Sequence, residues 1–318
     1  MELGLAEGPP VDADAAPAVV TIGSFDGVHR GHARILERVR DRATALGAEP
    51  VVMTFDPHPR CVLRPQSCPE TLTTVAEKAE LLGSAGIHRL LVLPFDVKTS
   101  QWSAERFLER LCATVGMRSL VTGPDFALGH NRQGDLAFLR RWGCERGVQL
   151  EVVEPVLLDG ERVSSSGVRA ALVRGDVGTA ARLAGRCYCL DGALHPIPAG
   201  SARDERGHYP GHDEVALAVP EGKATPRDGV YASWVRVAGK WWMAATVIMA
   251  RPTPGAGRPA IEPWLLDFAN SLDGEVVRCC FVGRLGEEGP DATAGRPEAR
   301  SARRAAQVRA LLTDRPHP

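Results

Sequence analysis

Gly23-Ser24-Phe25-Asp26-Gly27-Val28-His29-Arg30-Gly31-His32 leaves a run with the character of a buried strand, Ala18 to Gly23, and enters a segment of helical spacing. In that segment Ile35, Val39 and Ala43 recur between Gly31 and Leu46, as one face of a helix requires. The glycines allow the backbone to approach a phosphate closely, and the amides and dipole of a helix start favour anions. His29 and His32 stand at i and i+3, so both can face one point near that helix start. The segment reads as a phosphate cradle with two imidazole donors. A turn that merely exposes two histidines is the alternative, and the strand-to-helix setting favours the cradle.

The alternation continues along the chain. Strands are predicted at Pro50 to Phe55, His88 to Pro94, Arg118 to Gly123 and Gln149 to Val156. Helices are predicted at Thr73 to Ala85, Ala104 to Thr114, Gly134 to Arg146 and from about Ser166. Short apolar strands alternating with helices predict an α/β domain, a parallel Rossmann-like sheet covered on both faces, with ligands at the carboxyl ends of its strands. Residues 1–17 read as a loose leader and 18–186 as this domain.

After Gly185 the alternation stops. Asp191 to Gly211 is rich in Gly, Pro and His and reads as a boundary or loop. Gly229 to Val237 and Lys240 to Met249 are strong strands joined across Ala238 and Gly239, a tight hairpin; Glu275 to Val282 is a further strand and Ser301 to Leu312 a closing helix. Gly286 to Glu298 reads as mobile. A small antiparallel β-barrel with a C-terminal helix fits residues 187–318.

The 318-residue length suits two domains, and 44% hydrophobic with 24% charged residues suits a globular chain. A formal net charge of -1 gives no broad attraction to nucleic acid or an anionic membrane, so neither is expected as a partner. The eight cysteines, among them Cys187 and Cys189, form no CxxC pair and read as reduced thiols rather than metal ligands. Acids and prolines near the N-terminus replace the basic start and apolar run of a signal peptide, and no apolar stretch reaches membrane-spanning length, so the cytoplasm is the expected compartment. Oligomeric state is not legible.

Four ordered blocks resemble the bacterial bifunctional riboflavin kinase/FAD synthetases, whose adenylyltransferase module belongs to the HxGH nucleotidyltransferase superfamily. They are Gly23 to His32; Thr54-Phe55-Asp56-Pro57-His58-Pro59; Gly123-Pro124-Asp125-Phe126-Ala127-Leu128-Gly129 with Gly134-Asp135; and Val163-Ser164-Ser165-Ser166-Gly167-Val168-Arg169 with Gly175-Asp176. Ser166, Val168, Ala127 and Leu128 depart from the family's usual residues. The resemblance implies transfer of an adenylyl group from ATP to FMN, giving FAD, with Mg2+ accompanying ATP and no dedicated metal ligands in the protein.

It also implies His29, His32 and Arg169 as catalytic residues. Gly23, Ser24, Phe25, Gly27, Gly31, Ser164, Ser165 and Ser166 would bind ATP; Asp56, His58, Asp125 and Phe126 would meet the flavin. Taken alone, the serines read as a helix cap and Asp135 equally as one. A modified flavin or another phosphorylated acceptor, CTP in place of ATP, and a flavin-nucleotide sensor remain alternatives.

The second domain resembles the family's riboflavin kinase at Pro226 to Ala232, Arg251-Pro252-Thr253 and Ile261 to Phe268, with Glu262 at the position of the kinase base. The family's Gly-Phe-Pro-Thr-Ala-Asn block aligns with Gly211-His212-Asp213-Glu214-Val215-Ala216, which lacks the Thr and Asn. Glu262, Asp213 and Glu214 are therefore read as a vestigial kinase site, with kinase activity absent or weak.

Overall fold

The computed structural model describes residues 2–3, 17–197, 215–249, 259–287 and 297–318. Internal packing divides the chain into two units, Met1–Ser165 and Ser166–Pro318.

In the first unit, strands β1 (Glu2–Leu3), β2 (Ala18–Ile22), β3 (Glu49–Asp56), β4 (Arg89–Pro94), β5 (Met117–Thr122) and β6 (Gln149–Val152) pair in the order β1-β4-β3-β2-β5-β6. Every pairing is parallel. Helices α1 (Arg30–Leu46), α2 (Pro59–Leu63), α3 (Val75–Ser84), α4 (Val97–Ser100), α5 (Ala104–Val115) and α6 (Leu136–Arg146) connect them, and a ribbon of β7 (Leu157–Leu158) and β8 (Glu161–Arg162) follows. Side chains alternate faces along a strand. Val20, Ile22 and Met53 therefore meet Phe107, Leu108 and Leu111 of α5 and Leu139 and Trp142 of α6 on one face. Val19, Val52 and Val92 meet Leu36, Val39 and Ala43 of α1 and Leu82 of α3 on the other. This is the doubly covered parallel sheet that the sequence predicts.

The chain winds from β2 through β3 to β4 in one direction and returns to place β5 on the other side of β2. The carboxyl ends of β2 and β5 thus border the switch-point crevice where such sheets hold ligands. Two short helices, α2 and α4, escape a periodicity-based reading because neither completes two turns. Glu2–Leu3, inside the expected leader, pair with Leu91 and Val92 at the sheet edge.

Helix α7 (Ser165–Val173) begins at the division between the units and is followed by α8 (Val177–Ala184). In the second unit β9 (Tyr188–Pro196), β10 (Val215–Ala218), β11 (Gly229–Val237), β12 (Lys240–Met249), β13 (Ala260–Leu265) and β14 (Val276–Gly286) form an antiparallel sheet in the order β10-β9-β14-β11-β12-β13. Strand β10 also lies alongside β13, so the sheet is a nearly closed barrel. The final helix α9 (Pro297–Leu312) sets Ala305, Val308 and Leu312 against Val230, Ala232 and Val247. The β11–β12 hairpin turns through Ala238 and Gly239, both at positive φ, as a primed two-residue turn requires.

Two expectations are corrected. Asp191 to Pro196 is strand rather than loop: Leu190 and Leu194 point into the barrel, and Arg278 of the neighbouring strand β14 clasps Asp191 at 2.8 and 2.5 Å. Gly192, which looked like a breaker, lets the β10 backbone approach; a Cβ there would lie 2.0 Å from the Ala218 carbonyl oxygen. Four cysteines are paired rather than reduced. Cys189 faces Cys280 across β9 and β14 and is bonded to it, and Cys61 is bonded to Cys68 around the turn after α2. Strand register, invisible in the sequence, creates the first pairing; it also removes Cys189 from any metal pair with the half-buried Cys187. Residues 288–296 of the expected mobile segment lie outside the described residues, while β14 runs to Gly286 and α9 starts at Pro297. No helix among the described residues is long and apolar enough to cross a membrane.

Candidate active site

The turn after β2 is held in an unusual backbone path. Phe25, Gly27 and Val28 all have positive φ, at 44°, 80° and 37°, a region that costs non-glycine residues energy unless the surroundings impose it. The imposing contacts are visible. The buried Asp26 carboxylate accepts from the Leu72 amide at 2.9 and 3.1 Å and the Thr73 amide at 3.1 Å, and the Gly27 amide donates to Thr73 Oγ1 at 2.9 Å. Asp26 is thus a latch to the segment before α3.

His29 caps α1: its Nδ1 accepts the His32 amide at 3.3 Å. By this assignment the proton of the neutral imidazole resides on Nε2, which is left a donor. The His29 and His32 rings stack with centroids 3.7 Å apart, and His32 also tilts against Phe25 at 4.9 Å. Gly31 leaves the room for this. A Cβ there would lie 3.1 Å from the His29 ring and 3.4 Å from the Val163 carbonyl oxygen.

The fourth motif block reaches the same turn. Ser165 donates through Oγ to the Asp26 carbonyl at 2.8 Å, so the start of α7 is tied to the Gly23–His32 turn. Ser164 immediately precedes it. Ser166 and Arg169 follow on α7 in the second unit, Arg169 one helical turn beyond Ser165 by chain connectivity.

Beneath the turn is a buried cation that the motif reading did not single out. Lys78 of α3 is 5% exposed, and its Nζ donates to the Ser24 carbonyl at 2.6 Å and to Thr54 Oγ1 at 3.0 Å. Thr54 Oγ1 itself donates to the same carbonyl at 3.0 Å. Burial pushes the Lys78 ammonium below the usual lysine range, opposed by the charges of Asp26 and Asp56. One sequence signal exists: Lys78 occupies the apolar stripe of α3, with Val75 one turn before it and Leu82 one turn after.

Beside the turn, an open cavity of about 500 Å3 is lined by Gly23, Ser24, Phe55, His58, Pro59, Arg60, Leu63, Arg64, Asp125, Phe126, Ala127 and Arg132. It gathers five residues that the sequence assigned to ligands: Gly23 and Ser24 from the first block, His58 from the second, and Asp125 with Phe126 from the third. Asp56 ends β3 exposed and does not line the cavity. His58 caps α2 through Nδ1, which accepts the Arg60 amide at 3.1 Å. Asp125 pairs with Arg162, and its carbonyl accepts from Arg132 at 2.8 Å. Asp135 caps α6, accepting the Phe138 amide at 2.8 Å. The cations Arg60, Arg64 and Arg132 were missed because they sit in short segments without periodicity.

Among the described residues no group of three or more His, Cys, Asp or Glu side chains is placed to hold a metal. The donors at the turn are imidazoles, hydroxyls and amides, and the one buried carboxylate, Asp26, is committed to backbone amides. Such a donor set suits a cation that arrives on phosphate oxygens rather than one bound by the protein. In the second unit Glu262 lies on β13 opposite Val247, and Val215 and Ala216 open β10; Asp213, Glu214 and Arg251 to Thr253 lie outside the described residues.

Comparison with known proteins covers both units. Residues 11–167 match the model of the FAD synthetase family and residues 203–290 that of riboflavin kinase. A Pseudomonas fluorescens protein named bifunctional riboflavin kinase/FMN adenylyltransferase is 37% identical over 273 residues, 85% of each chain. Its counterpart of the same name from Escherichia coli strain K12 is 29% identical over the same share. A solved structure described as a macrolide-efflux protein from Streptococcus pneumoniae superposes with a TM-score of 0.79 at 21% identity, covering 94% of this chain and 93% of that one, which shows a shared fold.

Proposed function

The chain belongs to the bacterial bifunctional riboflavin kinase/FMN adenylyltransferase family, and on that footing we propose that it makes FAD by transferring the adenylyl group of ATP to FMN. A phosphate oxygen of FMN attacks the α-phosphorus of ATP; the new P–O bond forms as the bond to the bridging oxygen of pyrophosphate breaks. No covalent enzyme intermediate is needed, so positioning and charge stabilisation carry the rate.

The observation that carries this reading is the joining of the first and fourth motif blocks at one turn, where His29, His32 and Ser165 converge beside a cavity. His29 Nε2–H and the His32 imidazole stabilise charge on the triphosphate, and Arg169 clamps phosphate oxygens with its planar fork. Among the described residues the Ser24 and Phe25 amides meet no acceptor, and they supply further donors. Phe55 and Phe126 offer apolar walls for an isoalloxazine ring, while Arg60, Arg64 and Arg132 complement a phosphate dianion. Bound with ATP through its phosphate oxygens, Mg2+ would supply further positive charge to offset that of the leaving pyrophosphate.

The adenylyltransferase module is assigned to 18–186 and the kinase-like module to 187–318. The relatives' names include riboflavin kinase. For this chain we propose that this second activity is absent or severely weakened, because Gly211 to Ala216 offers neither a Thr nor an Asn where the family's block has both. Magnesium-dependent FAD and pyrophosphate formation should be measured from FMN with ATP or CTP, and FMN formation from riboflavin. FAD from FMN at a rate far above FMN from riboflavin is expected, with His29→Ala and Arg169→Ala each reducing FAD formation about 100-fold. Comparable FMN accumulation would overturn the kinase proposal, and wild-type protein that makes no FAD would overturn the adenylyl-transfer proposal.

A further inference from the structure

We propose that Lys78, together with Thr54, is a positioning residue for nucleotide binding: from behind the Gly23–His32 turn it fixes the Ser24–Phe25 peptide so that the Phe25 amide faces the phosphates. The inference rests on the adenylyl-transfer reading for the identity of the ligand and on geometry for the clamp.

The Ser24 carbonyl accepts two hydrogen bonds, from Lys78 Nζ at 2.6 Å and from Thr54 Oγ1 at 3.0 Å. A planar trans peptide has its N–H directed opposite to its C=O. Pinning the Ser24 carbonyl toward α3 therefore directs the Phe25 N–H away from α3, and among the described residues that amide meets no acceptor. The peptide is one that would relax if released: Phe25 sits at φ 44°, where a bulky side chain is disfavoured. A charged donor to a carbonyl is about twice as strong as a neutral one, which suits a strained peptide better than a hydroxyl alone. Burying an ammonium is costly, and a methionine-like side chain would fill the same space without that cost. The charge is explained by what it holds. Nothing in the clamp touches substrate, so Lys78 acts through the Ser24–Phe25 peptide.

The test compares wild type, Lys78→Met and Thr54→Val by steady-state FAD formation, by calorimetric titration with ATP and separately with FMN, and by near-UV circular dichroism. For folded Lys78→Met, turnover or ATP affinity is expected to fall about tenfold or more, with FMN affinity within about twofold of wild type. Thr54→Val, which keeps the cation and removes the second donor, is expected to show a smaller loss in the same quantities. If Lys78→Met is folded and retains both turnover and ATP affinity within about twofold, the clamp is refuted. It is equally refuted if ATP and FMN affinities fall together, since that pattern marks general structural damage. Should Lys78→Met fail to fold, a folded Thr54→Val with unaltered ATP affinity and turnover overturns the proposal, and a selective loss supports it. If the wild type forms no FAD, the ATP titrations alone decide the matter, so failure of the reaction assignment and failure of the clamp are told apart.

Discussion

His29 serves two purposes with one ring. Nδ1 completes the cap of α1, which makes Nε2 the donor nitrogen, and the proposed mechanism uses that donor at the triphosphate. The two are separable, because asparagine is a good helix cap but has no imidazole. His29→Asn is expected to keep the melting temperature while FAD formation falls about 100-fold; His29→Ala is expected to lose activity and in addition about 1 kcal/mol of stability. Calorimetric melting beside the turnover assay checks both, and an active His29→Asn would remove the imidazole from the mechanism. Gly27 makes a sharper steric case. At φ 80°, with Leu72 Cδ1 2.7 Å from where a Cβ would stand, Gly27→Ala is expected to cost about 2 kcal/mol and to dislodge the turn, read as a lower denaturation midpoint and weaker ATP binding. The histidines and glycines were legible because their spacing along the chain already carries their geometry. Lys78 and the Asp26 latch were not, since each depends on a partner about fifty residues away whose approach only the folded sheet defines.

Among elements, those with a full period were readable: strands β2 to β6 and β14, helices α1, α3, α5 and α6, and the β11–β12 hairpin with its Ala-Gly turn. Strand β9 was not, because Gly192, His195 and Pro196 disguise an alternation that Leu190 and Leu194 satisfy. Helix α8 offers a direct test of local electrostatics. Its cap, Asp176, accepts the Thr179 amide at 2.9 Å, and hydrogen bonds from the Thr179 amide and side chain hold this carboxyl below the usual aspartate range. A carboxyl lowered in the folded state contributes stability that is fully present above its unfolded value and is lost as the pH falls through its folded value. Asp176 is largely exposed, so the contribution is about 1 kcal/mol or less. Between neutrality and about pH 3 the wild type is expected to lose this increment relative to Asp176→Asn, whose cap does not titrate; denaturant curves that stay parallel across that range would contradict it.

For the whole molecule the cysteine arrangement is a second point where folding supplies what spacing withholds. Eight cysteines give four thiols, at Cys112, Cys144, Cys187 and Cys279. Burial pushes Cys112 and Cys279 up to about 11 and raises Cys187 as well, so their thiolates are scarce near neutrality. Thiol titration is expected to show one fast group in the native protein, the exposed Cys144, and four after unfolding without reductant; eight in the unreduced, unfolded chain would dissolve both disulfides. The two-domain plan was visible in the change from alternating to strand-rich sequence, and the family blocks carried the chemistry, whereas the cavity walls contributed by Arg60, Arg64 and Arg132 became visible only once α2 and the Asp125 loop met. The most direct measurement follows the adenylyl group itself. With α-32P-labelled ATP, FMN and Mg2+, the wild-type chain is expected to move the label into FAD, one per flavin, and to release unlabelled pyrophosphate in equal amount. Label that stays in ATP, or appears in AMP with no labelled FAD, would contradict adenylyl transfer to FMN at the His29–His32 turn.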